Sequence, residues 1–271
     1  MKAVFLIIVL LINTTIMDLK FITCSGTNET TPIPELLQLL NEFPRAEIGV
    51  QVSNKKGVFG TPRYDWIHAL RKECAERNTV INASLHVNLQ WVEKFGQAII
   101  VPELDEFLKL NDINGLPFFK RVQLNFKIGR EAAPDEDKLS IAIRHYSRQR
   151  FILSYNESNR HLIHEMYVRA IDFDCLYDES FGAGIVPAER KAPVYIDVLQ
   201  GYAGGINPDN VTEELSKIIV TDPKGYCLKG FYIDAHKGLE DENTHFDLDK
   251  CRTYLTRTES WYQNYLYRKT K

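Results

Sequence analysis

The chain of 271 residues is short of several things. Its five cysteines, Cys24, Cys74, Cys175, Cys227 and Cys251, contain no C-x-x-C pair. That spacing excludes the common zinc and thioredoxin-type motifs, and the odd count argues against a closed disulfide framework. Positive charge is not in excess: 33 Lys and Arg stand against 36 Asp and Glu, a formal net charge of −3. A nucleic-acid or anionic-membrane surface is not expected from such a balance. No stable membrane span is expected either, because the apolar run at residues 3–12 is too short to cross a bilayer. Linkers and low-complexity stretches are missing too, so the chain reads as one domain.

What is present begins with that apolar run. With Lys2 before it, residues 1–16 have the shape of a signal peptide, though no small-residue cleavage site follows. Met17 offers a second natural start. The chain is secreted in the first case and cytoplasmic in the second. Five N-x-S/T sequons, at Asn13, Asn28, Asn82, Asn156 and Asn210, lean toward secretion, although Asn82 falls in an apparent strand. Residues 17–264 form the expected domain and 265–271 a basic tail.

From residue 19 onward, short apolar runs alternate with amphipathic stretches. "LKFIT", "AEIGVQVS", "TVINASLHV" and "FFKRVQL" each precede a helical pattern, as do "RFILSY", "PVYIDVLQGYA" and "LKGFYID". "DFDCLYD" precedes a glycine-rich loop. Eight such units predict an α/β fold, a single (β/α)8 TIM barrel with eight parallel strands. An open doubly wound sheet is the alternative.

A barrel of this kind carries its site at the C-terminal strand ends, often with phosphate held after strands 7 and 8. The ends to inspect are residues 23–25, Ser53, His86, Gln123 with Asn125, Tyr155 with Asn156, Asp178, Gly204 with Gly205, and Asp234. Three of the following loops carry glycine: "DESFGAGI" with Gly182 and Gly184, "GYAGGINPDNV", and "DAHKGLE" with Lys237 and Gly238. Glycine lets an anion approach bare backbone N–H groups, and the helix opening near Pro208 adds its positive end. A small phosphorylated molecule is therefore the expected partner. His86, Gln123 and Asn125 are possible contacts. His161, His164 and Glu165 fall on an outer helix and read as a solvated face. Neither a metal nor a cofactor is expected.

Six segments carry a resemblance: "FITCSGT", "GTPRY", "VQLN", "LYDESFGAG", "AGGINPDNV" and "IDAHKGLE…FDLDK". In that order they look like the signature segments of phosphoribosylanthranilate isomerase, over about residues 18–254. The chain resembles still more closely a separate branch of that barrel superfamily, from which only the fold carries over. The resemblance implies an Amadori-type aldose-to-ketose rearrangement, with Cys24 as general base and Asp178 as general acid. It implies that Arg63 holds an anionic part of the substrate. Gly182, Gly184, Gly204, Gly205, Asp234, Lys237 and Gly238 would surround the substrate and its phosphate. One departure is specific: Ser25 separates Cys24 from Gly26, where the family has cysteine followed directly by glycine. A one-residue shift along a strand turns a side chain to the other face. The alternative function is a barrel without catalysis that binds a phosphorylated ligand or a partner.

Overall fold

The computed structural model describes residues 16–126, 133–178, 180, 183–222 and 227–271. Most of the signal-like stretch, together with Gly182, lies outside the described residues. Eight parallel strands close into a barrel in sequence order: β1 (Leu19–Thr27), β2 (Ala46–Val52), β3 (Asn82–Val87), β4 (Arg121–Leu124), β5 (Arg150–Tyr155), β6 (Phe173–Tyr177), β7 (Gln200–Tyr202) and β8 (Phe231–Ala235). The closing pair is β8 with β1, where Asp234 lies opposite Thr23. This is the (β/α)8 barrel that the alternation of runs predicts, and an open sheet is excluded.

The helices follow from local chemistry. α1 (Ile33–Glu42) and α2 (Pro62–Glu76) each carry proline in the first turn, where no intrahelical N–H is lost. α1 buries Leu36, Leu37, Leu39 and Leu40, each worth about 1.5–3 kcal/mol against the barrel wall. The stretch after β3 divides into two short helices, α3 (Gln90–Gly96) and α4 (Pro102–Lys109). α5 (Glu136–His145) is capped by Asp135, whose carboxylate accepts the Lys138 N–H at 2.9 Å. α6 (Arg160–Val168) and α7 (Val211–Thr221) cover β5 and β7. Between β6 and β7 the described residues contain no helix; the return is irregular.

α8 (Leu248–Lys269) is the longest helix and continues through most of the segment expected to be a tail. It clasps the start of the domain: the Leu19 and Met17 N–H groups both donate at 3.1 Å, to the hydroxyls of Tyr262 and Tyr265. Met17 is fully buried. No described helix is long and apolar enough to cross a membrane.

Side chains pointing into the barrel form a charged floor. Arg121 bridges Glu47 at 2.8 Å and Asp174 at 3.0 Å, and Arg150 reaches Asp174 at 2.6 Å. The Arg121 guanidinium lies between the rings of Phe21 and Tyr232, at 4.6 and 4.0 Å from their centroids. Tyr232 has room for this only because residue 201 is glycine: a Cβ there would sit 2.1 Å from the tyrosine ring. The first glycine of "GYAGG" therefore serves the floor.

Candidate functional site

Above the floor, at the C-terminal strand ends, is a cavity of about 490 Å³. Every strand but β7 contributes to its wall, β7 through the residues that follow it from Ala203, and a ligand-sized opening at this rim suits a small molecule. The second half of the wall is built from β6 to β8. Gly204 and Gly205 adopt φ of +83° and +66°, the left-handed region that glycine enters without strain. Their carbonyls are all held from behind. Arg190 donates to the oxygens of Ala203 and Gly204, and the side-chain amides of Asn207 and Asn210 donate to Gly205 at 3.2 and 2.9 Å. In a trans peptide the next N–H points opposite the carbonyl. The N–H groups of Gly204, Gly205 and Ile206 are thus turned away from those donors, and none has an acceptor among the described residues. We call this run of consecutive amides, without acceptors among the described residues, the amide nest.

Arg190 is itself fixed. It pairs with Glu214 of α7 at 2.7 Å with both side chains 2% exposed, which ties the irregular β6–β7 segment to the helix that the nest opens. A Cβ at Gly205 would meet the Val186 backbone nitrogen at 2.5 Å, so that segment packs directly on the glycine. Lys237, in the 3₁₀ turn Lys237–Leu239 after β8, reaches across to the Ala183 carbonyl at 3.0 Å and lies along Gly184. Gly238 completes this side of the wall.

Two carboxyls share the cavity. Asp178 accepts the Ser180 N–H at 3.1 Å and the Ser180 hydroxyl at 2.7 Å. Asp234 is buried at the end of β8 and accepts the Ser25 hydroxyl at 2.6 Å. Burial is the main cause that pushes Asp234 up to about 7, with the charges on Glu47 and Asp178 adding to it and Ser25 opposing it. A carboxyl poised there can hold or release a proton at neutral pH. His236 lies 3.3 Å from the Gln51 amide and 3.2 Å from Glu240, and burial lowers its pKa. His86 is deeper, 3.0 Å from the Ser84 hydroxyl, and burial lowers it to about 3, so it is neutral.

The structure brings together most of the residues expected from the sequence. Asp178, Asp234, Gly184, Gly204, Gly205, Lys237, Gly238, His86, Gln123 and Asn125 all line the cavity. Cys24 and Arg63 do not. Cys24 points outward from β1 into the layer between strand and helix, against Cys251 and Tyr254 of α8. Burial, with Cys251 next to it, raises the thiol well above its usual range. Ser25 faces the mouth in its place. Arg63 is buried in an ion pair with Glu29, and its other end donates to the Gln51 carbonyl at 2.8 Å. Gln51, Asn88 and His236 are wall residues that the sequence reading did not name as contacts, and Ser25 and Asn156, among the strand ends it singled out, were given no role. Strand parity decides the outcome that the inserted Ser25 foreshadowed: Ile22 and Cys24 share one face of β1, Thr23 and Ser25 the other. Two sequon asparagines are occupied here, since Asn156 accepts the Asn159 N–H at 3.1 Å and Asn210 holds the nest.

Solved structures of known proteins share this architecture. Phosphoribosyl anthranilate isomerase from Thermus thermophilus aligns with a TM-score of 0.52 at 15% identity, over 89% of this chain and 98% of that one. TrpF from Jonesia denitrificans aligns at 0.51 and 14%, over 89% and 97%. The fold is similar to that of phosphoribosylanthranilate isomerase. No protein-family profile and no curated protein matches the sequence. The likeness is therefore one of architecture and does not by itself assign a reaction.

Proposed function

We propose that this chain is an isomerase-like barrel that binds a small phosphorylated sugar derivative and exchanges protons with it. The observation that carries the reading is the placement of the amide nest and Lys237 in one cavity with Asp178 and Asp234. The nest and the Lys237 ammonium supply what a phosphate needs, uncompensated N–H donors beside a cation. The carboxyls supply what an aldose-to-ketose rearrangement needs. One takes the proton from C2 while the other gives a proton to the oxygen at C1. The first then returns a proton to C1 of the enediol while the second takes the proton from the C2 hydroxyl, which leaves the ketone at C2. Asp234, with its proton balanced near neutrality, suits either role. The structural neighbours support the reading, because the two with the higher alignment scores carry the name of an isomerase or its TrpF label.

Cys24 has no part in this scheme, since its thiol lies behind the strand. That feature also favours a second reading, a barrel that keeps the cradle and has lost turnover. Two measurements separate them. Inorganic phosphate is expected to raise the melting temperature of the wild type and not that of Gly205→Asp. No protection of the wild type, or equal protection of both, removes the cradle. Exchange of the C2 proton of ribose 5-phosphate with deuterated solvent, followed by NMR, tests turnover. Exchange that falls at least about a hundredfold in both Asp178→Asn and Asp234→Asn supports catalysis. Phosphate binding without exchange in the wild type selects the binding-only barrel.

A further inference from the structure

The cavity is asymmetric in its chemistry. The phosphate end has the nest and Lys237, which is the cationic lysine or arginine lining the cavity among the described residues. The other end is walled by neutral amides. Gln123 donates to Asn125 at 2.7 Å, Asn125 to Asn88 at 2.9 Å, and Asn88 to the His86 carbonyl at 2.8 Å. This head-to-tail chain ends on backbone, so each amide has a fixed orientation. The Gln123 carbonyl is left as an acceptor at the wall. The two nearby imidazoles add no charge at neutral pH, because burial lowers both.

A guanidinium does stand behind this end. Arg63 donates to the carbonyl of Gln51, a wall residue, but Glu29 occupies it in an ion pair. A second anionic group on a ligand would find that cation already neutralised and would share the cavity with the Asp178 and Asp234 carboxyls. Fixed amides and hydroxyls, in contrast, match sugar hydroxyls, which donate and accept at once.

Resting on the phosphate reading above, we infer that the end opposite the cradle takes an uncharged polyhydroxylated group and excludes a second anion, with Glu29 holding Arg63 out of the site. The substrate class is then a sugar or polyol monophosphate without an attached carboxylate. Glu29 becomes a specificity-determining residue, although it does not line the cavity.

The test uses two ligands that differ at C1 alone, ribitol 5-phosphate with a hydroxymethyl group and ribonate 5-phosphate with a carboxylate. Calorimetric titration of the full chain is expected to give at least about tenfold tighter binding of ribitol 5-phosphate, the penalty of placing like charges together. In Glu29→Gln the gap is expected to narrow through stronger binding of the ribonate, with the ribitol affinity unchanged. Equal or tighter binding of ribonate 5-phosphate by the wild type overturns the inference while leaving the cradle intact. An unchanged gap in a folded Glu29→Gln protein overturns the role of Glu29. Failure of inorganic phosphate and both ligands to bind overturns the cradle and, with it, the inference.

Discussion

The floor and the mouth of this barrel are both rich in charge, yet they handle it in opposite ways. In the floor, Arg121 and Arg150 answer Glu47 and Asp174 at 2.6–3.0 Å, and two aromatic rings seal Arg121 on either side. In the mouth, Asp234 accepts the Ser25 hydroxyl, and Asp178 accepts the Ser180 hydroxyl and N–H. Burial raises the pKa of Glu47 in the floor too, but Arg121 works against that rise. Asp234 has Ser25 as its main counterweight and rises to about 7. Charge that is answered holds the strands together. The Asp234 carboxyl, met by a hydroxyl, keeps its proton up to near neutrality.

The comparison can be broken most severely at the floor. Arg121→Ala leaves Glu47 and Asp174 without their shared partner and is expected to cost about 3–5 kcal/mol, read as a lower urea midpoint. A midpoint within error of the wild type would show that the floor is not what closes the barrel. At the mouth, Gly205→Ala forces a left-handed alanine whose Cβ meets Val186, and about 1–3 kcal/mol should be lost. Phosphate protection should disappear with it; retained protection would place the anion elsewhere.

Asp234→Asn sharpens the contrast through pH. The folded carboxyl holds its proton to about 7, whereas an unfolded aspartate releases it near 4. Between those values the native state binds more protons than the unfolded one, so stability falls as pH rises, by at most about 1.4 kcal/mol per unit. The difference in unfolding free energy between wild type and Asp234→Asn should carry that slope between about pH 4 and 7 and flatten above it. A difference that does not vary with pH would mean that Asp234 is ionised throughout. Cys24→Ala is the mildest change: about 1 kcal/mol of packing is lost, with phosphate binding and proton exchange within twofold of wild type. A collapse of exchange in that variant would return the thiol to the chemistry.

Much of this was legible in the residues because the relevant signals are local. Apolar runs followed by amphipathic stretches gave the eight strands, and paired glycines at the end of β7 marked the nest before any geometry was known. The floor was not legible. Arg121, Glu47 and Asp174 sit inside strand-like runs, and only the barrel's closure brings them together across 53 and 74 residues of sequence. The irregular return after β6, without a helix among the described residues, was foreshadowed by a glycine-rich loop, but nothing local indicated that Arg190 and Glu214 would anchor it. Cys24 was misplaced in expectation because its identity matched a motif while its parity along β1 did not. A side chain's face on a strand is set by counting, and Ser25 is the residue the count brings to the mouth.

Gly201 and Tyr232 also bear on how this sequence can change over generations. The tyrosine ring fills the space that any larger residue at 201 would need, and the same ring covers Arg121. Enlarging position 201 first pushes the ring off the guanidinium, while trimming position 232 first uncovers it. Neither step is neutral alone, so the two positions are coupled and their effects should not add. Descendants of this barrel are held to the glycine for as long as they keep the arginine.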